Sequence, residues 1–288
     1  MVVIQSTQFG YIVKLFTFAL RGVQKEDRVM FRRTLLSFAA ALLLALPALA
    51  QENDAPLAYD GFQMNFPTAL AQGVNLWNFA ADPVDLFYPG GPQPAHTQFM
   101  FYSGEEVPNY PFMAPFAVHL YRLDAVEGYE FVQQQVADLR ALLAERPDLS
   151  PYMVGLGVER NIVLPYLPPL NAAQAIRARA QYMETAGFEG IAYVTVYRQD
   201  VSPFVGREFF YTFQGLSRDG KFYIGATVWL NTELFPAEIG DLDYEAFIPV
   251  YQEYLEESIA TLNAGSASDF TPSLDTMDAI FASFDTAR

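Results

Sequence analysis

The sequence predicts an α+β fold, a mainly antiparallel β-sheet with covering helices on its faces. Three observations carry that expectation. Residues 172–230 read as four extended runs folded into two hairpins, the second closed by Asp219-Gly220. Both faces of this second hairpin are apolar: Phe222, Ile224, Ala226, Val228 and Leu230 share one face, and Tyr223 and Trp229 the other. On its partner run Phe209, Tyr211 and Phe213 oppose Phe210. A ribbon apolar on both sides needs layers above and below it. Third, apolar residues recur at helical spacing only outside these runs, after Asp124 and after Asp243.

Composition narrows the classes. The chain has 288 residues, 52% hydrophobic and 15% aromatic, too apolar for a disordered protein and long enough for one large domain or two small ones. The absence of cysteine excludes a disulfide scaffold, a Cys-containing zinc site, a thiol nucleophile and an iron–sulfur cluster. A formal charge of −16 opposes any broad phosphate-binding surface, so no nucleic-acid partner is expected.

The first fifty residues read as an export leader and not as part of the fold. Phe31-Arg32-Arg33 is a short basic start, Thr34 to Leu46 is apolar throughout, and Ala48-Leu49-Ala50 sets small residues at a cleavage site. The apolar core falls short of the roughly 20 residues that span a bilayer. Residues 30–50 are therefore expected to be a signal peptide cut after Ala50, leaving Gln51 first and no membrane association. Residues 1–29 precede a complete signal, which points to a start codon placed too early, with Met30 the initiator. Six of the 17 basic residues (Lys14, Arg21, Lys25, Arg28, Arg32, Arg33) and two of the 33 acidic ones (Glu26, Asp27) lie before Gln51. The remaining 51–288, expected to be one secreted domain, carries 11 basic and 31 acidic groups, a net of −20.

Along that domain, Leu57 to Phe66 reads as a first strand, Val74 to Phe79 as a second and His96 to Tyr102 as a third. Prolines and glycines make 82–94 a loop, and prolines punctuate 107–115. Phe116 to Leu123 is extended again. Asp124 with Glu127 resembles a capping box, and Val132, Val136, Leu139 and Leu143 form one stripe of a helix that Pro147 ends. Residues 148–170 hold four prolines and read as a surface excursion with a short strand at 161–164. Ala172 to Thr185 has helix-forming alanines, but Ile176, Ala178, Ala180 and Tyr182 alternate with Arg177, Arg179, Gln181 and Met183, which favours a strand with one wet face. Residues 186–190 form its turn. A helix with Tyr244, Phe247, Ile248, Tyr251, Tyr254, Leu255, Ile259 and Leu262 on one wide stripe follows, with Pro249 near its first turn and Gly265 as its stop. A last helix starts near Ser273. No internal repeat or low-complexity segment occurs.

Three pieces then stand out in order: Tyr59-Asp60-Gly61-Phe62, the run Phe210-Tyr211-Thr212-Phe213-Gln214-Gly215-Leu216 before the Asp-Gly hairpin, and Phe270-Thr271-Pro272-Ser273-Leu274-Asp275 before the last helix. Together they resemble a family of exported bacterial proteins that has no assigned activity, over most of 57–285. More distantly, early strands, a helix, a long hairpin and a C-terminal helix look like the Mog1/PsbP-type α+β sandwich. That resemblance implies a binding or assembly factor and not a catalyst; the prolines of 147–170 have no counterpart in it. The matching residues are scaffold residues and carry no chemistry.

Catalytic patterns are absent or broken. The two histidines, His96 and His119, sit on separate strands with no HExxH, so no metal site and no cofactor are expected. Gly215-Leu216-Ser217-Arg218-Asp219 lacks the last glycine of a nucleophile elbow, and its serine reads as a turn residue. Gly155-Leu156-Gly157 is an isolated glycine pair. Asp241, Asp243 and Glu245 alternate like a minimal calcium loop, but they open a helix, whose positive dipole end favours acids. Glu105-Glu106 invites a glycosidase reading, although adjacent residues on an extended segment point opposite ways.

Aromatics are the remaining lead. Trp77, Phe79, Phe87, Tyr88, Tyr110, Phe112 and Phe116 gather around two proline-bearing loops, where they cap the core or form a stacking surface for sugars, peptides or apolar ligands. Arg177 and Arg179, if they share a face, make an anion pocket; otherwise they pair with nearby carboxylates. The candidate ligand-binding residues are therefore Trp77, Phe79, Tyr88, Tyr110, Arg177 and Arg179. The expected function is a secreted, non-enzymatic binding or assembly protein for a small molecule, glycan or protein. The alternatives are an extracellular hydrolase with a carboxylate couple, and an acidic structural surface protein.

Overall fold

The computed structural model describes residues 54–87, 90–104, 114–155 and 164–286. Residues 1–29, the signal peptide expected at 30–50, Gln51, Tyr88, Glu105, Glu106, Tyr110, Phe112, Gly157 and most of the strand expected at 161–164 lie outside them.

Twelve strands alternate with four helices among these residues. Strands β1 (Asp54–Tyr59) and β2 (Phe62–Pro67) form a hairpin, followed by β3 (Gly73–Phe79), β4 (His96–Tyr102) and β5 (Phe116–Arg122). Helix α1 (Glu130–Glu145) precedes four long strands, β6 (Ala173–Glu184), β7 (Phe188–Arg198), β8 (Phe210–Ser217) and β9 (Phe222–Trp229). The short β10 (Asn231–Thr232) leads to α2 (Tyr244–Phe247) and α3 (Tyr251–Ala264), and then β11 (Phe270–Thr271), α4 (Leu274–Ala282) and β12 (Asp285–Thr286) close the chain.

The main sheet is seven-stranded and antiparallel throughout, in the order β3-β4-β5-β9-β8-β7-β6. The fold is α+β with the sheet dominant. Every residue of β8 is buried, which requires cover on both sides. On the first face Tyr211, Phe213, Phe222 and Ile224 pack against the β1–β2 hairpin (Phe62, Met64), α3 (Leu255, Leu262) and α4 (Met277, Phe281). On the second face Tyr121, Tyr193, Phe210 and Tyr223 pack under α1 (Val132, Leu139) and the segment of Leu164, Tyr166 and Leu167. Each large side chain removed from water here contributes roughly 1.5–3 kcal/mol.

That second cover is tied down by one polar side chain. Gln214 is fully buried. Its Oε1 accepts the Leu167 amide at 2.9 Å and the Tyr223 hydroxyl at 2.6 Å, while its Nε2 donates to the Leu167 carbonyl at 3.2 Å and to Thr212 Oγ1 at 2.7 Å. The strand beside it must be bare for this approach, since a Cβ on Gly225 would lie 2.3 Å from the Leu167 carbonyl oxygen.

Four expectations change. The single strand at 57–66 is a hairpin: Tyr59 faces Phe62 across Asp60-Gly61, whose φ values of 45° and 83° make the mirror-image two-residue turn that Asp-Gly favours. The capping box fails because Asp124 binds the Arg122 guanidinium (3.2 and 3.1 Å), and α1 begins six residues later with no side-chain cap. The long helix from Tyr244 is broken by a 3-10 turn at Ile248–Val250, since Pro249 cannot supply the helical amide; Tyr244 and Ile248 are left exposed. In β6 the even alternation is interrupted by register shifts between Gln174 and Ile176 and between Ala178 and Gln181, and Arg177, expected on the wet face, is buried with its guanidinium bonded to Tyr152 and Gln174.

Candidate functional site

The arginines and aromatics expected to bind a ligand are only partly assembled. The β6 irregularity gives Arg179 a φ of 54° and sends the two guanidinium groups to different partners. Arg177 donates to the Tyr152 carbonyl (2.9 Å) and Gln174 (3.2 Å). Arg179 donates to the Leu262 and Gly265 carbonyls (3.0 and 2.5 Å) at the end of α3, where the helix dipole favours a cation. Among the described residues they form no shared anion pocket and no carboxylate pair. Trp77 and Phe79 do lie together, rings 6.0 Å apart, but half-buried: Trp77 packs on Met100, Ala114 and Ala117, and Phe79 stacks on His96 at 4.7 Å. Phe116 belongs to the core against Phe101, whereas Phe87 is 99% exposed.

Several other chemistry-bearing groups are satisfied locally. Ser217 is a turn residue: its Oγ accepts the amides of Lys221 (3.0 Å) and Phe222 (2.8 Å). The Asp243 carboxylate accepts the Ala246 amide at 3.2 Å, capping α2. Tyr211 donates to Asp278 at 2.6 Å in a polar hollow of about 500 Å³, with Gln181 bonded to both. His96 and His119 meet across β4 and β5 with rings 5.7 Å apart, and burial lowers the pKa of each. Among the described residues, no group of three or more His, Cys, Asp or Glu is placed to hold a metal ion.

A groove that sequence reasoning missed lies at the open end of the β8–β9 hairpin. Trp229, the last residue of β9, faces Phe210, the first of β8, and both project to the second face of the sheet. Their rings meet edge-on at 5.4 Å, Phe210 stacks beside Tyr197 at 6.0 Å, and Tyr166 backs both. The layer over Tyr193 and Tyr223 stops short of this end, so Trp229 stays 45% exposed. The result is a groove of about 540 Å³, walled by Leu170, Asn171 and Ala172.

Its floor is uncharged. Burial pushes the Tyr166 and Tyr197 phenols well above their ordinary pKa, so both keep their protons at neutral pH; Tyr166 shares a 3.0 Å hydrogen bond with Thr227. Charge sits at the rim on Arg198, Arg207 and Glu208. Glu208 is bound by the Arg198 guanidinium and by the Val205 amide at 2.9 Å. Arg198 also donates to the carbonyls of Ser202 and Pro203 and lies over the Phe204 ring at 4.8 Å. The sequence did hold a signal for this site: Phe210 and Trp229 close the hairpin's open end, with Arg207 three residues before Phe210.

No family model matches the chain. No curated protein matches it either.

Proposed function

We propose that the chain is an exported, non-enzymatic binding protein whose ligand, a small molecule with an apolar body, lies on the floor of Trp229, Phe210 and Tyr197. One observation carries this reading: a half-exposed tryptophan over a neutral aromatic floor, in a groove of ligand-sized volume. The rim speaks against a carboxylate couple, because among the described residues it offers no second acid beside Glu208, which is bound by Arg198 and a backbone amide. An aromatic floor with few hydroxyl-binding groups favours an apolar ligand over a glycan.

Export rests on the leader that ends in Ala48-Leu49-Ala50 and on the resemblance to exported bacterial proteins; N-terminal sequencing of the secreted protein should begin at Gln51, and a retained Met1 would contradict it. The sheet-dominated arrangement with a hairpin and helices on one face is compatible with the Mog1/PsbP-type sandwich, whose members mostly bind or assemble.

The binding test uses N-phenyl-1-naphthylamine, a neutral apolar dye that brightens away from water. One saturable site is expected in the unaltered protein and in Trp77→Phe, with loss in Trp229→Ala. Undiminished binding to Trp229→Ala refutes the site, and turnover of a hydrolase substrate abolished by one point substitution refutes the non-enzymatic reading.

A further inference from the structure

Resting on that reading of the groove, we infer that its ligand is an amphipathic anion: a flat apolar body lying against Trp229 and Phe210, with a carboxylate or similar group at Arg207.

The inference comes from the cations around the groove. The domain after the leader carries a net of −20, and its cations are few. Most of the described ones have a partner. Arg122, Arg146, Arg198, Arg218 and Lys221 each pair with a carboxylate. Arg177 and Arg179 are taken up by main-chain carbonyls and Gln174. Arg207 is exposed at the groove's rim and, among the described residues, makes no ion pair or hydrogen bond. Arg198 is matched by Glu208, so the groove keeps one unmatched positive charge on a strongly acidic protein.

Charge complementarity selects the occupant. A cation unpaired in water and next to an apolar floor gains most from a ligand that brings an anion and a ring together, since the ring keeps water from the forming pair. Guanidinium also presents a planar fork that fits a carboxylate. A polyanion is disfavoured: Asp200 borders the adjoining hollow of about 600 Å³ on the far side of Leu170 and Ala172, and the whole surface repels extended negative charge. The volume suits one or two fused rings with short substituents and is too small for a folded partner.

The test compares two probes of equal shape, 2-naphthoate and 2-naphthamide, by calorimetric titration of the full exported chain. The acid is expected to bind about fivefold more tightly than the amide in low salt, the size of one partly exposed ion pair. Arg207→Gln should remove that preference by weakening the acid to the affinity of the amide; because Arg207 makes no ion pair or hydrogen bond among the described residues, the variant's melting temperature should not move and serves as a control. Equal affinity of acid and amide for the unaltered protein, or a preference that survives Arg207→Gln, overturns the anion while leaving the groove as a binding site. Failure of both probes to bind overturns the groove itself.

Discussion

Replacing Gln214 by leucine tests whether the second face of the sheet is held closed by one polar clasp. The two side chains are close in size, so Gln214→Leu creates little void and isolates the hydrogen bonds. Four bonds disappear, two given and two accepted. Two consequences dominate: the Leu167 amide and the Tyr223 hydroxyl are left as buried donors without acceptors. Each such group costs about 1–3 kcal/mol, so a loss of about 3 kcal/mol is expected. In urea, with a slope of about 3 kcal/mol per molar for a chain of this size, the midpoint should fall by about 1 M with the slope unchanged. Binding at the groove should weaken as well, because the same segment continues to Leu170, which forms the groove wall. A stability change below about 0.5 kcal/mol would refute the clasp, since that is the range of a surface substitution.

Two further outcomes follow from the same packing. Gly225→Ala should lose about 2 kcal/mol by urea or thermal melting, because the new Cβ meets the Leu167 carbonyl oxygen at 2.3 Å and a backbone atom cannot rotate aside; an unchanged melting curve contradicts the close approach. His119 should make the protein less stable in mild acid. Its folded pKa is held well below 6.5 by burial and by His96, and among the described residues its buried Nδ1 has no hydrogen-bond partner, so the unfolded chain takes up the proton first. Stability is then full above about pH 6.5 and is lost as the pH falls from there toward the depressed folded value. Between pH 7 and pH 5.5 that loss is about 1 kcal/mol for one such group. His119→Leu should flatten the slope in this window, leaving the smaller part due to His96; an equal slope in the variant assigns the effect elsewhere.

The parts of the fold legible in sequence were those set by short-range pattern. Alternation and Asp219-Gly220 located β8 and β9, and the two apolar faces of that hairpin required the two covers that α1 and the α3–α4 pair provide. Features decided by a single residue against its neighbours were harder. Asp60-Gly61 splits an otherwise continuous apolar run, Pro249 breaks a stripe that keeps its period, and the β6 bulge turns Arg179 away from Arg177. The groove was the least legible feature. Leu170, Tyr197, Arg207, Phe210 and Trp229 come from three strands and two connecting segments, and only the register of β7, β8 and β9 brings them together. Trp77 and Phe79, two residues apart on one strand, were easier to find and are both half-buried.

The chain holds two tryptophans, so its nitrogen-15 spectrum carries two indole N–H signals, assignable with Trp77→Phe. Titration with N-phenyl-1-naphthylamine should move the Trp229 signal progressively to saturation while Trp77, packed on Met100 and Ala117, stays in place. Movement of the Trp77 signal with Trp229 stationary would put the ligand on the other aromatic pair and contradict the groove.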